Sequence, residues 1–219
     1  MFFYGIKFTK ANTINPVIEI YLIRHAETEY NRINDRIGGR SSHLHINETG
    51  KQQAQSLKQR ISESQIIFDK MFCSTSVRAK ETISFITNTP DNIIYSDKLE
   101  ELSQGDWEGL PRNQIYTKER LDEINANNYT FKAPNGESQE EVERRMYKFI
   151  KEQIISKHKE GKFLVLTHGM SIKCFLRKIL ESNPAITYKI TIDNASVTKL
   201  VYSQEKGWKI SYINRHQDL

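Results

Sequence analysis

The chain has 219 residues, 37% of them hydrophobic and 27% charged. That length and mixture fit one substantial globular domain and exclude a disordered or fibrous chain. Lysine and arginine exceed aspartate and glutamate for a net charge of +5. This excess favours anionic partners in general, but the basic residues are dispersed, so nucleic acid is not implied.

No run of residues approaches a membrane span. The opening "MFFYGIKF" is too short for a signal-peptide apolar region and is interrupted by Lys7. A soluble, cytoplasmic protein is expected, with no membrane partner. Cys73 and Cys174 have no metal-like spacing and read as reduced, buried thiols. Residues 1–16 form an N-terminal extension, open to three readings: a peripheral strand, a disordered extension, or a contact with the second subunit of a homodimer. Residues 17–219 form the main domain.

Val17 to Ile23 is apolar and rich in branched side chains, as in a buried strand bounded by Pro16. It ends in Arg24-His25. A polar loop, "NRINDRIGGRSSHLHINETG", follows, and a helix begins near Gly50 with Ala54, Leu57 and Ile61 on one face. "FDKMFCS" is a short buried strand leading into a helix striped by Ala79, Ile83 and Ile86. "NIIYS" is another strand. Residues 103–134 have no strong period and form a small, partly helical cap excursion from the sheet.

A helix then runs from an N-cap at Ser138, with Glu141 completing a capping box and Val142, Met146, Phe149, Ile150 and Ile154 on one face. "KFLVLTH" is the clearest buried strand, followed by a helix carrying Ile172, Phe175, Leu176, Ile179 and Leu180. "SVTKLVYS" and "WKISYIN" form a terminal hairpin. This alternation predicts a three-layer α/β/α fold with a mainly parallel central sheet.

Three strand ends carry related chemistry: Arg24-His25, the run Ser74 to Arg78, and Thr167-His168-Gly169. In a parallel sheet they share the carboxyl edge, where ligands bind. Arginine forks match phosphate oxygens, and helix N-termini favour anions. The expected guest is a phosphoryl group.

On these residues the chain resembles the histidine phosphatase superfamily, also called the phosphoglycerate-mutase-like family. Arg24-His25-Ala26-Glu27-Thr28 fits its opening signature, and "STSVRAKET", "LEELSQGDWEG", "NGES" and "THGM" follow in the family's order. The resemblance runs from Ile18 almost to the C-terminus. It implies a metal-independent phosphatase acting on a small phosphorylated metabolite, with no cofactor and no metal. It implies His25 as nucleophile, Glu101 as proton donor and His168 as a further catalytic group that also contacts the phosphate. Arg24, Asn31 and Arg78 are the remaining phosphate contacts, with Thr28 and Ser41 weaker candidates; Glu100 occupies a variable position and faces elsewhere.

The loop "GGRSSHLHINETG" departs from the family pattern: it lacks an acidic residue near Ser42 and carries one extra residue. His43 and His45 are ordinary loop residues on this reading. The alternatives are a phosphoglycerate mutase, or a catalytically silent binding module on the same fold. "LSQGDWEGL" after Glu101 resembles phosphatase members and lacks the mutases' Asn-Lys-like continuation. Trp107, Tyr116, Tyr129 and Phe131 either wall a substrate pocket or fill the core of the cap.

Overall fold

A computed structural model describes residues 16–87 and 89–219; the N-terminal extension before Pro16 lies outside them. Six strands make one sheet: β1 (Ile18–Arg24), β2 (Lys70–Ser74), β3 (Ile93–Ser96), β4 (Gly161–Thr167), β5 (Val197–Ser203) and β6 (Gly207–Arg215), in the order β3-β2-β4-β1-β5-β6. The β3, β2, β4 and β1 pairings are parallel. β5 joins β1 antiparallel, and β6 pairs back on β5 as the expected hairpin.

Alternate side chains of the central strands feed two cores, which is why their sequences are apolar almost without interruption. Ile18, Ile20 and Leu22 of β1 and Phe163 and Val165 of β4 pack with α6 (Gln139–Ile150) and α7 (Gly169–Ile179). Tyr21 and Ile23 of β1 and Leu164 and Leu166 of β4 pack with α2 (Glu48–Glu63) and α3 (Val77–Ile86) on the other face. Truncating a side chain such as Leu22, which has no exposed surface, costs about 2–5 kcal/mol in cores of this kind. Both cysteines are buried and free, and burial pushes their thiols up.

Local signals set the helix ends. Asn47 caps α2, its side chain accepting from the Gly50 N–H. Gly50 is required there: a Cβ would meet the Glu27 carbonyl oxygen at 2.3 Å, so this helix rests directly on the chain following β1. Ser138 and Glu141 form the expected reciprocal capping box on α6. The helix continues past Ile150 in a wider turn, Lys151–Ile155, that still buries Ile154. A short α1 (Glu29–Ile33) follows β1, and the cap carries α4 (Arg112–Ile115) and α5 (Lys118–Ala126). Among the described residues no helix is long and apolar enough to cross a membrane.

Candidate active site

Register brings the charged strand ends together. Arg24 of β1 lies opposite Thr167 of β4, and Cys73 of β2 lies opposite Leu166. The residues that follow, His25 and His168, therefore emerge side by side, ring centroids 5.0 Å apart. The His25 N–H is held by the Thr167 carbonyl at 3.0 Å.

Hydrogen bonds fix both imidazoles. His25 Nδ1 lies 2.7 Å from the Ala26 carbonyl oxygen, an acceptor only, so Nδ1 carries the proton and Nε2 the lone pair. Arg78 Nε donates to that Nε2 at 3.2 Å. The same guanidinium donates through Nη2 to His168 Nδ1 at 3.1 Å. His168 Nε2 in turn faces the Ser74 hydroxyl at 2.8 Å. Burial, followed by the charge of Arg78, holds both histidines well below 6.5. They are neutral bases, not cations.

Arg78 is 3% exposed. Beyond the two rings it donates to the carbonyls of Gly39, Arg40 and Ser41 at 3.3, 2.8 and 3.0 Å. Burial lowers its guanidinium to about 10, with Glu101 the strongest opposing influence. Arg24 reaches the Ile192 carbonyl through Nη1 at 2.7 Å, while its buried Nε has no acceptor among the described residues. A Cβ on Gly169 would lie 3.3 Å from that Nε, so the glycine of "THGM" lets Arg24 lie against the first turn of α7.

The expected offer of helix N-terminal amides to the guest is corrected by the structure. The Met170 and Ser171 N–H groups of α7 donate to the Glu101 carboxylate at 3.0 and 3.1 Å, and Glu101 also accepts from Leu102 N–H at 2.8 Å. The Val77 N–H that opens α3 bonds to the Ser42 carbonyl at 2.9 Å. A carboxylate beside a helix start satisfies its orphan donors, so α7 positions Glu101 instead of an anionic guest. Glu100 does face elsewhere, but not solvent: it is buried, accepts from Thr75 at 2.8 Å, and lies 3.4 Å from Arg40 Nε.

Thr28 is the N-cap of α1, its hydroxyl paired with Asn31 Oδ1 and accepting from the Asn31 N–H. Asn31 Oδ1 accepts from Thr28 and from Asn194 Nδ2, so its amino group is the end left to donate. Ser41 turns its hydroxyl to the Gly38 carbonyl and gives its own carbonyl to Arg78. His43 is exposed and His45 pairs with Glu81, consistent with ordinary loop residues.

Two residues escaped sequence reasoning. Asn194 donates to the His25 carbonyl at 2.9 Å, and Ser74 orients His168. Ser74 stood within a quoted motif without a role; Asn194, in "DNAS", carried no signal at all.

Beside Leu102 and Met170, which flank and cap Glu101, the cap opens a cavity of about 330 Å³. Trp107, Tyr116 and Phe131 line it, together with Tyr188 and the amides of Gln104, Asn125 and Asn128. The same three aromatics also pack on Ile37 and Ala133 as the cap's core, so they line a cavity and fill the cap at once. Tyr129 does neither; its ring lies 4.7 Å from the buried Arg177 guanidinium.

The sequence model of the histidine phosphatase superfamily (branch 1) matches residues 20–216. A probable phosphatase of Schizosaccharomyces pombe is 30% identical over 84% of this chain and 86% of its own. A phosphoglycerate mutase of the same yeast is 29% identical over 82% of this chain and 93% of its own. Among solved structures, a phosphoserine phosphatase of Entamoeba histolytica superposes with a TM-score of 0.79 at 21% identity, covering 92% of this chain and 99% of that one. With its strand-end arginines and histidines in the order of that family's motifs, the chain belongs to the histidine phosphatase superfamily.

Proposed function

We propose that this enzyme is a phosphoric monoester hydrolase that acts on small phosphomonoesters through a phosphohistidine on His25. The observation that carries the reading is the His25 ring: Nδ1–H is spent on Ala26, and a neutral Nε2 lone pair is left beside Arg78. A neutral imidazole is the form that attacks phosphorus. Nε2 forms the phosphorus–nitrogen bond as the bond from phosphorus to the ester oxygen breaks. Arg24, whose Nε lacks an acceptor, Arg78, and the Asn31 amino group hold the three non-bridging oxygens. His168 joins them through Nδ1 once a bound phosphoryl dianion draws a proton to it. Stabilisation of this charge is the larger part of such catalysis.

Glu101, held at the first turn of α7, gives the leaving oxygen its proton from its protonated form. It then takes a proton from the water that attacks phospho-His25, and inorganic phosphate departs. No step calls on a metal or cofactor, so turnover is expected to survive chelation. The leaving group is assigned to the cap cavity beside Glu101.

A second reading, phosphoglycerate mutase, is favoured by the relative of that name. A mutase must hold a second anionic group beyond the transferred one. The cavity's charged lining residues are Arg112 and Glu137; Glu137 is spent on Arg145 and Arg40, so among the described residues Arg112 is the single cation facing it, without the Asn-Lys pair expected of a mutase. This supports hydrolysis.

The experiment is rapid-quench trapping with labelled aryl phosphate, alongside phosphate release. The wild type should yield an acid-labile, base-stable phosphoenzyme absent from His25→Ala, with steady release of phosphate. Label on serine or aspartate would overturn the nucleophile. Interconversion of 3- and 2-phosphoglycerate with negligible phosphate release would establish the mutase reading.

A further inference from the structure

Glu108 lies in the cap, at the end of "GDWE", and does not touch the imidazoles. Its carboxylate accepts from the N–H groups of Arg40 (Oε1, 2.9 Å) and Ser41 (Oε2, 2.9 Å), and Oε1 also accepts from Gln104 N–H at 3.0 Å. The first two donors belong to the very peptide groups whose carbonyls hold Arg78. The Gly39–Arg40 peptide gives its oxygen to Arg78 Nη2 and its N–H to Glu108; the Arg40–Ser41 peptide gives its oxygen to Nη1 and its N–H to Glu108. A carboxylate and a guanidinium thus face each other through two parallel peptide groups. Each peptide dipole is aligned by the charge at either end, and such chains of hydrogen bonds strengthen one another.

The local sequence is fitted to this arrangement. Gly39 has a φ of +55°, and a Cβ there would stand 2.5 Å from Glu108 Oε1. Only glycine permits both the left-handed backbone and the close carboxylate.

We infer that Glu108 is a positioning residue for Arg78, setting the guanidinium against His25 and the incoming phosphoryl group through these two peptide groups. Glu108 is also one of three carboxylates whose field favours the charged form of Arg78. Without the carboxylate, two inward N–H groups lose their acceptor, the 39–41 loop relaxes, and its carbonyls release Arg78. The inference rests on the phosphoryl-site reading above, and its test separates the two.

The test is a double-mutant cycle on the full chain, using Glu108→Gln and Arg78→Ala. The readouts are kcat/KM for an aryl phosphate and inhibition by inorganic phosphate. Glu108→Gln keeps the volume but loses the charge and one acceptor, and is expected to lower both phosphate affinity and kcat/KM about ten- to a hundredfold, the range for hydrogen bonds to a charged group. In the Arg78→Ala background the same change should have almost no effect. Glu108→Asp, which keeps the charge, should recover part of the loss. Should Glu108→Gln fail to fold, Glu108→Asp replaces it in the cycle, judged by the same coupling.

Equal losses with and without Arg78, or no loss from either variant, would overturn the positioning role. Failure of the wild type to bind phosphate at all would overturn the site reading beneath it.

Discussion

Arg78 Nε donates into the lone pair of His25 Nε2 across 3.2 Å, so the cation that would steady a phosphoryl group rests on the atom that would attack it. The nucleophile is held ready and capped at once. An arriving phosphoryl group offers the guanidinium better acceptors than a neutral imidazole, because hydrogen bonds to an ionised acceptor are shorter and stronger. Binding would therefore draw Arg78 onto oxygen and free Nε2 in the same movement.

Replacing Arg78 with lysine tests this geometry. A compact ammonium cannot bond two imidazole nitrogens and three carbonyls from one plane. Arg78→Lys is expected to lower kcat on an aryl phosphate about a hundred- to a thousandfold, with circular dichroism unchanged. A variant within threefold of wild type would mean that any cation suffices and the fork has no role.

The buried histidines tie stability to pH. Burial and Arg78 keep the folded imidazoles neutral well below 6.5, the ordinary value they regain on unfolding. Below pH 6.5 the unfolded chain binds more protons than the folded one, so protonation favours unfolding. The stability is whole above about pH 6.5 and is lost as pH falls from there toward the folded values. Melting temperature should decline between pH 7.5 and 5, above the range where carboxylates titrate. The slope should be shallower in His168→Asn. A wild-type melting temperature flat over that interval would show that the pair is not neutral in the fold.

Much of this molecule could be read before its coordinates. Leu22 and Val165 belong to apolar runs that only a doubly covered strand explains, and Val142 to Ile154 keep a helical stripe strong enough to survive a local change of pitch. Arg24, His25, Arg78 and His168 were legible because strand ends on one edge converge by topology alone. The readings that failed concerned which polar group meets which. Helix amides were expected to face the guest, but Glu101 takes those of α7. Nor did spacing announce that the hydroxyl of Thr28 would pair with Asn31. Such pairings are decided by how closely loops approach in three dimensions, and spacing along the chain does not encode it. Asn194 enters the site from 169 residues beyond His25, which no local pattern could announce.

Arg177 carries a prediction about stability away from the chemistry. It is 2% exposed, bonds Glu143 at 2.8 Å, and also donates to Gln139 and Thr187 at 2.8 Å. This cluster fastens α6, α7 and the segment Pro184–Lys189 together. Removing one partner of a buried pair leaves the other charge uncompensated, at a cost of about 3–5 kcal/mol. Glu143→Ala should show that loss in chemical denaturation. A loss below about 1 kcal/mol, the usual worth of an exposed pair, would mean that water reaches the guanidinium.

Tyr188 offers the clearest test of where the leaving group sits. Its ring lines the cap cavity yet is 51% exposed, and its hydroxyl accepts from Gln139 Nε2 at 2.9 Å. Trp107 and Phe131 line the same cavity, but they also pack the cap, and truncating either would mix lost binding with lost structure. Tyr188→Ala removes a wall at little cost to the fold. If bulky, flat leaving groups lie against this ring, KM for an aryl phosphate should rise about three- to tenfold, the worth of one aromatic contact. The chemistry at His25 is untouched, so kcat should stay nearly constant. A phosphomonoester too small to reach the ring should show no change in either constant. Proportional losses on large and small substrates would place Tyr188 outside the binding path and send the leaving group elsewhere.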